Sequence, residues 1–283
     1  MTYLISFLEY CPFWIFIRIM KLFKYRSRIS ISSKIISFIL RNFPKYKKRV
    51  FNNLSLIYPE MSDIEKNNFL KNFSNNLGLT FSEFLFNEEY HTYQNIKLKD
   101  HSQITEIVEA VKNNRPVLIV SGHIGPWEAV RALLKRNGIE TAAVYRKSKN
   151  IFYQPYHHNS IEAGGKPIFQ VGRSGTKSMI KYLKQGGVVC MMIDQAVSEG
   201  KYIDFMGFPA KTSLAIASIA IKYSALIIPA YALRKNENLV EIQIEPSVTL
   251  SNPSKIMGEL NLSLERIITS HPSQWYWIHN RWK

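Results

Sequence analysis

The spacing of apolar residues along the chain is helical in its first half. Ser62-Asp63-Ile64-Glu65 forms a capping box, which is typical of a helix start. Apolar residues follow at steps of three and four: Phe69, Leu70, Phe73, Leu77, Phe81, Phe84 and Leu85. This spacing predicts an amphipathic helix whose stripe packs on the main domain, with a break near Gly78 as an alternative.

From about residue 114, short apolar runs alternate with helical patterns. Six runs predict strands: Val117 to Val120, Thr141 to Tyr145, Pro167 to Gln170, Val188 to Ile193, Ala225 to Leu233 and Leu239 to Glu245. The alternation predicts an α/β fold with a mixed, mostly parallel sheet flanked by helices. The last two runs are close enough to form a hairpin, and ligands of such sheets bind where strands end.

The first residues have a different pattern. Residues 3–23 are rich in aromatic and aliphatic side chains but are interrupted by Glu9, Pro12 and Arg18. Because a spanning helix needs about 20 mostly apolar residues, we expect interfacial or shallow membrane insertion ahead of a full span. No basic residue precedes the apolar run and no A-x-A site follows it, so a cleaved signal peptide is not expected.

Charge supports this interpretation of the first segment. The chain of 283 residues has a net charge of +16, and residues 1–50 alone hold 11 Lys or Arg against Glu9. Basic residues interleaved with aromatic ones suit anionic headgroups, although charge runs are often only solvated. We therefore predict three parts: a membrane-associating segment at 1–45, a helical region packed on the core at 46–100, and an α/β domain at 101–283.

Composition excludes several classes of protein. A hydrophobic share of 46% is ample for a core, and no repeat or low-complexity segment occurs. The two cysteines, Cys11 and Cys190, can form neither a disulfide framework nor a Cys-rich zinc site. The adjacent His157 and His158 lack the frame of a metal motif, so we expect no metal and no cofactor.

The candidate chemistry lies at His123 and Glu128. The same His-x4-Glu spacing also occurs at His101/Glu106 and His157/Glu162, so spacing alone proves nothing. Only His123 directly follows a buried-strand pattern and precedes a predicted helix, with Pro126 suited to its first turn. Glu128 is expected to accept a hydrogen bond from Nδ1 of His123 and to leave Nε2 free as a base. The alternative is a buried, helix-capping histidine beside a carboxylate that the helix start favours.

Six blocks, in order, resemble motifs of the lipid A biosynthesis (Kdo-type) acyltransferases, a bacterial family within the lysophospholipid acyltransferase superfamily. The block Ser121-Gly122-His123-Ile124-Gly125-Pro126-Trp127-Glu128 resembles H-x-G-N-W-E, with Pro126 in place of Asn. The other five are Tyr145-Arg146, Gly172 to Lys177 with Met179-Ile180, Val188 to Gln195, Phe205 to Ala210 (F-x-G-x-P-A) and Gln274 to Lys283. The E-G-T-R block of glycerol-phosphate acyltransferases is not found, which favours the lipid A branch.

The resemblance implies an O-acyltransferase that moves a fatty acyl chain from a thioester to a hydroxyl of a lipid A precursor. His123, oriented by Glu128, would be the catalytic base. Arg146 and then Arg173 are the candidates for binding substrate or the oxyanion. Asp194 would orient an arginine or the acceptor sugar, or else cap a helix.

The resemblance also implies the partners and the location. The donor is expected to be an acyl carrier protein thioester, with acyl-CoA as the alternative, and the acceptor a lipid in an anionic membrane. The enzyme would work at the cytoplasmic side of the bacterial inner membrane, with no nucleic acid partner. Two further alternatives stay open: another glycolipid or lysophospholipid acceptor, and a non-enzymatic basic protein that binds membrane or RNA.

Overall fold

The computed structural model describes residues 2–92 and 95–282. Lys283, the last residue of the block that begins at Gln274, therefore lies outside the described residues. The first half is helical, and the second half alternates between strands and helices. The helices are α1 (Thr2–Met20), α2 (Tyr25–Asn42), α3 (Pro44–Ile57), α4 (Asp63–Leu85), α5 (Asn87–Tyr90), α6 (Thr105–Lys112), α7 (Glu128–Arg136), α8 (Tyr153–Glu162), α9 (Arg173–Leu183), α10 (Ala215–Tyr223) and α11 (Pro253–Ser270).

Seven of the strands form one mixed sheet. The strands are β1 (Ile96–Leu98), β2 (Val117–Ser121), β3 (Thr141–Tyr145), β4 (Ile168–Gln170), β5 (Val188–Met192), β6 (Lys201–Phe205), β7 (Phe208–Thr212), β8 (Leu226–Asn236) and β9 (Leu239–Ile244). Their order in the sheet is β1-β9-β8-β2-β5-β3-β4. Neighbours are parallel except β8 and β9, which pair antiparallel. The predicted fold class and the predicted hairpin are confirmed.

Helices cover both faces of this sheet, and the central strand β2 shows why. All five of its residues are buried. Leu118 and Val120 belong to the core formed with α4 and α11, whereas Val117 and Ile119 belong to the core formed with α6 and α7. A strand buried on both faces has a continuous apolar run, as this one does.

The capping box at Ser62 begins α4 as predicted. The Ser62 hydroxyl accepts from the Glu65 backbone N–H at 3.3 Å, and the Glu65 carboxylate accepts from the Ser62 N–H at 2.8 Å. The helix does not break at Gly78. A Cβ there would lie 2.6 Å from the Ser33 carbonyl oxygen, so glycine serves the close packing of α4 on α2 and not a turn.

Two elements differ from the sequence prediction. Strand β1 lies inside the region 46–100, which the pattern predicts as helical, and it pairs with β9 at the sheet edge. The antiparallel hairpin β6–β7 forms a separate two-stranded sheet after β5, and the six predicted strand runs do not include either of its strands. Residue 45, the predicted end of the first segment, is the second residue of α3.

Candidate functional site

The site is built on the loop that follows β2. Gly125 has φ +53°, and a Cβ at this position would lie 2.1 Å from the Ala232 carbonyl oxygen. Only glycine fits there, because both the backbone angle and the close approach exclude a side chain. The Gly125 N–H also donates to the Gln274 carbonyl at 3.0 Å, and Ile124 forms an isolated bridge with Trp275. The carboxyl-terminal segment therefore fixes the loop that carries His123.

Strand register brings His123 and Asp194 together. In the parallel pair of β2 and β5, Val117 lies opposite Val188 and Ser121 opposite Met192. His123 lies two residues after the end of β2, and Asp194 lies two residues after the end of β5. The His123 Nδ1 lies 2.8 Å from Oδ1 of Asp194, and the His123 backbone N–H donates to Oδ2 at 2.7 Å.

Asp194 accepts a third hydrogen bond, from Nε1–H of Trp275 at 2.9 Å. The carboxylate is buried, with 3% of the residue exposed. Burial by itself raises the pKa of Asp194, but the positive charge of a protonated His123 and the three hydrogen bonds outweigh it and lower the pKa to about 2. Asp194 is therefore ionised at neutral pH.

An ionised Asp194 decides the tautomer of His123. A carboxylate only accepts, so Nδ1 carries the hydrogen and Nε2 keeps its lone pair. Within residues 2–92 and 95–282, no hydrogen bond involves Nε2. The imidazole is 22% exposed and is bordered by the rings of Trp127 and Tyr276, at centroid distances of 5.3 and 5.9 Å. This arrangement can take a proton from a hydroxyl that approaches Nε2.

Glu128 does not occupy the place predicted for it. Its Oε2 accepts from Arg131 at 3.1 Å and from Asn87 at 3.2 Å, and lies 3.7 Å from Nε2 of His91. Glu128 is the first residue of α7 and points toward α5 and α8, while Asp194 already holds Nδ1 of His123. The prediction that Glu128 accepts a hydrogen bond from His123 is therefore wrong, and Asp194 is the partner of Nδ1 instead.

The environment of Glu128 is that of a buried ion pair. Desolvation raises its pKa, but the charges of Arg131 and a protonated His91, with the hydrogen bond from Asn87, lower it on balance. Arg131 also donates to the carbonyls of Ile161 at 2.9 Å and Gly165 at 3.0 Å. The pair joins the start of α7 to the end of α8.

Arg146 and Arg173 stand at the same edge of the sheet as His123. They follow β3 and β4, and the order β2-β5-β3-β4 with parallel pairing puts the carboxyl ends of all four strands on one edge. Both arginines are exposed. In the part of the chain that the structure describes, neither makes a hydrogen bond or ion pair, so both guanidinium groups face solvent.

Backbone donors near His123 are mostly used inside the chain. Five of the N–H groups between residues 123 and 129 donate to described residues: those of His123, Ile124, Gly125, Trp127 and Ala129. N–H groups near a helix start can stabilise an oxyanion, but most of those in this loop already donate to acceptors within the chain. This leaves the guanidinium groups as the better-suited donors.

The two other His-x4-Glu pairs have different surroundings. Glu106 accepts hydrogen bonds from the backbone and hydroxyl of Ser247, not from His101. Glu162 lies 3.3 Å from Nε2 of His158, its neighbour one turn away, and 3.1 Å from Nζ of Lys166. Neither pair stands at the carboxyl end of a buried strand.

Pattern analysis gives no role to Trp275, although it belongs to the last of the matching blocks. The same segment is held at several points. His279 Nε2 accepts from the Ala196 N–H at 2.8 Å, and the buried Arg281 donates to Lys211 and Thr212 at 2.7 Å each. These contacts keep Trp275 against Asp194, a long-range arrangement that no local spacing reveals.

Comparison with known proteins agrees with these features. A family model described as bacterial lipid A biosynthesis acyltransferase matches residues 2–283. Lipid A biosynthesis acyltransferase 2 of Shigella flexneri is 24% identical over 262 residues, which cover 89% of this chain and 82% of that protein. A phosphatidylinositol mannoside acyltransferase of Mycobacterium tuberculosis is 23% identical over 166 residues, which cover 56% of this chain and 52% of that protein.

Proposed function

Because the chain belongs to the bacterial lipid A biosynthesis acyltransferase family, we propose that it transfers a fatty acyl chain from a thioester to a hydroxyl of a lipid A precursor. The observation that supports the chemistry is the hydrogen bond between Nδ1 of His123 and the buried Asp194 carboxylate. In the neutral tautomer that this contact selects, the hydrogen is on Nδ1 and the lone pair is on Nε2, the form that a general base requires. The similarity to the Shigella enzyme over 89% of the chain favours a lipid A acceptor.

In the proposed reaction the acceptor hydroxyl loses its proton to Nε2 of His123 as its oxygen attacks the thioester carbonyl. A C–O bond forms, and the carbonyl oxygen becomes an oxyanion. When the carbonyl reforms, the C–S bond breaks and the thiolate takes the proton from Nε2. Asp194 stabilises the transient imidazolium and fixes the ring, so we assign it a positioning role, in place of the one predicted for Glu128.

Arg146 and Arg173 are the proposed binding groups for negative charge. Exposed guanidinium groups at the edge of His123 suit phosphates of the acceptor or the donor, and one of them suits the oxyanion. Arg146 is the first candidate because β3, which it follows, pairs directly with β5. Replacing either arginine with alanine should raise KM or lower kcat while leaving the melting temperature unchanged.

The proposed donor is an acyl carrier protein thioester. A net charge of +16 suits an acidic carrier, whose rate of encounter falls as salt screens the attraction. The rate at subsaturating carrier thioester should therefore fall steeply from low to physiological salt, and more weakly for acyl-CoA. Equal rates with CoA and carrier thioesters at matched concentration would contradict the carrier proposal and leave the transferase proposal standing.

A second candidate acceptor is another glycolipid, and the similarity to a phosphatidylinositol mannoside acyltransferase favours it. Purified protein would be incubated with a panel of lipid A precursors, mannosylated phosphoinositides and lysophospholipids, together with carrier and CoA thioesters. Mass spectrometry of the products identifies the acceptor. Acylation of lipid A precursors alone supports the proposal, and acylation of only another lipid overturns the acceptor assignment.

Residues 1–45 are the proposed membrane-associating part, which would bring the site to its lipid acceptor at the cytoplasmic face of the inner membrane. One helix of the described residues, over Tyr3–Met20, is long and apolar enough to cross a membrane. A protein lacking residues 1–45 should lose most of its binding to anionic vesicles. Equal binding of the truncated and full-length proteins would contradict this part of the proposal.

The residue assignment is tested by substitution with internal controls. His123→Ala should lower turnover by about 100- to 10,000-fold, the usual effect of removing a general base. His101→Ala and His157→Ala, which share the His-x4-Glu spacing, should stay within several-fold of wild type. A folded His123→Ala protein with wild-type turnover would exclude His123 as the base.

A further inference from the structure

Helix α1 is docked along the catalytic domain. Near its start, the Phe152 ring packs edge-on against Tyr3 and Phe7, at centroid distances of 4.9 and 5.4 Å. Further along, the Phe13 ring packs edge-on against Tyr153 and Tyr156 of α8, at 4.9 and 5.2 Å. Aromatic contacts thus follow the helix over more than two turns.

Polar contacts hold the same side of the helix. The Asn150 side-chain amide donates to the Ser6 carbonyl at 2.8 Å and to the Glu9 carboxylate at 3.3 Å. Asn150 lies in the loop after β3, four residues beyond Arg146. The first half of α1 is therefore attached to the loop that begins at the active-site edge of the sheet.

The other end of α1 is held by the buried Arg28 of α2. Its Nε–H donates to the Met20 carbonyl and an Nη2–H to the Phe23 carbonyl, both at 3.0 Å. Arg28 also pairs with Glu89 and lies over the Phe86 ring, 4.8 Å from its centroid. A guanidinium that donates to the last carbonyl of a helix, here that of Met20, also complements the negative end of its dipole.

The side of α1 that faces away from the protein is apolar. Leu4, Leu8, Cys11 and Ile15 recur at steps of three and four and so share one face, with Arg18 as the charged residue on it, and Leu22 follows in the turn after the helix. The four aliphatic residues are among the exposed large hydrophobic side chains. Ile17 and Met20, on the docked side, are buried against Ile29 and Phe86.

We propose, building on the proposed membrane association, that α1 lies in the plane of the membrane interface and does not cross the bilayer. A helix that spans would carry its docked neighbours into the hydrocarbon: Asn150, the basic loop before it and the histidines of α8. Polar and charged groups at that depth are strongly disfavoured. A helix lying flat keeps those groups in water and buries only its outer stripe, with Arg18 reaching the headgroups.

This placement has a consequence for the reaction. Because α1 is bonded to the loop after β3, a flat α1 puts the edge with Arg146 and His123 beside the headgroups. An acceptor whose sugar and phosphates lie at that level reaches His123 without leaving the bilayer. The apolar stripe is thus a lipid-contact surface that also sets the height of the active site.

Depth measurement on the full-length protein tests the proposal. Single cysteines are labelled with an environment-sensitive fluorophore at residue 4, at the native Cys11 and at residue 22. Cys190→Ala is present throughout, and Cys11→Ser is present in every variant, including the control, except the one labelled at Cys11. Vesicles of phosphatidylethanolamine and phosphatidylglycerol carry nitroxide quenchers at acyl carbon 5 or carbon 12. A label at Asn113, which lies before β2 at the opposite edge of the sheet, is the control.

A flat helix gives three labels at one shallow depth, each quenched more by carbon 5 than by carbon 12, and no quenching of the Asn113 label. A spanning helix gives the strongest carbon-12 quenching at residue 11 and weaker quenching at residues 4 and 22, and this result overturns the proposal. Failure of the wild-type protein to bind vesicles at all would instead refute the proposed membrane association. The two failures are therefore distinguishable.

Discussion

Asp194→Asn is the most discriminating substitution, because the carboxylate receives three donors with two oxygens. Oδ2 accepts from the His123 backbone N–H and from Trp275, and Oδ1 faces Nδ1 of His123. An asparagine has one oxygen and one NH₂ group. Its single oxygen accepts two hydrogen bonds at the Oδ2 position but only one at the Oδ1 position. The orientation with oxygen at Oδ2 is therefore favoured, and it points the NH₂ group at Nδ1 of His123.

In that orientation Nδ1 must accept, so the hydrogen moves to Nε2 and the base is lost. Turnover should therefore fall by about 10³- to 10⁴-fold, the scale seen when a catalytic histidine is held in the wrong tautomer. The fold should persist, because the two hydrogen bonds at Oδ2 remain. The double substitution His123→Ala/Asp194→Asn should cost little more than His123→Ala alone, since the two residues act as one unit.

The same substitution has a pH signature in stability. A carboxyl whose pKa is lowered from 3.8 to about 2 by folding contributes stability above pH 4, and this contribution is lost as the pH falls through about 2. The full contribution is about 2 kcal/mol, of which about 1 kcal/mol is lost between pH 5 and pH 3. The free energy of unfolding should therefore fall by about 1 kcal/mol more in wild type than in Asp194→Asn over this range.

The assays are initial rates of acyl transfer, circular dichroism and urea unfolding at the two pH values. Glu128→Gln is the matched control for rate, because it removes a second buried carboxylate that does not contact the imidazole. Turnover of Asp194→Asn within tenfold of wild type, in a folded protein, would refute the positioning role of Asp194. Identical pH slopes for the two proteins would refute the ion-pair account of its low pKa.

Three other substitutions test separate parts of the structure. Glu128→Gln should lower the free energy of unfolding by about 2–4 kcal/mol, because it leaves Arg131 buried without its counter-ion. Its melting temperature should therefore fall, while the turnover of the folded protein stays near that of wild type. Trp275→Phe removes one hydrogen bond from the Asp194 carboxylate. It should therefore lower kcat more than it raises KM, and it should also shift the pH–rate profile. Arg28→Met should raise amide hydrogen exchange in α1 by more than tenfold, whereas the exposed Arg26→Met should leave it unchanged; equal protection in both would contradict the clamp at the end of α1.

The sequence predicts the fold better than it predicts the site. A strand buried on both faces leaves a local signal, so the runs at 117 and 188 are visible without their partners. The short strand β1 and the hairpin β6–β7 carry little apolar signal, because β1 has three residues and most of β6 is exposed. Their existence depends on tertiary contacts that periodicity does not encode.

The partner of His123 shows the same limit. Local spacing favours Glu128, five residues away, over Asp194, which is 71 residues away. The parallel register relates the two strands by this offset of 71 residues along their whole length, yet only a structure reveals that these two strands are neighbours. The sequence points to both carboxylates, but spacing predicts the wrong hydrogen-bond partner for His123, because sequence proximity is not spatial proximity.

Because Asp194 accepts a hydrogen bond from Trp275, the site is completed only late in synthesis. Helix α1 leaves the ribosome before the sheet does, so under the proposed membrane association it meets the lipid while the sheet is still unmade. Trp275, which donates the third hydrogen bond to Asp194, is translated about 250 residues after the end of α1. Under the proposed roles of α1 and His123, a nascent chain would reach the membrane before its proposed base is held in place, so partly made copies would bind lipid without transferring acyl groups.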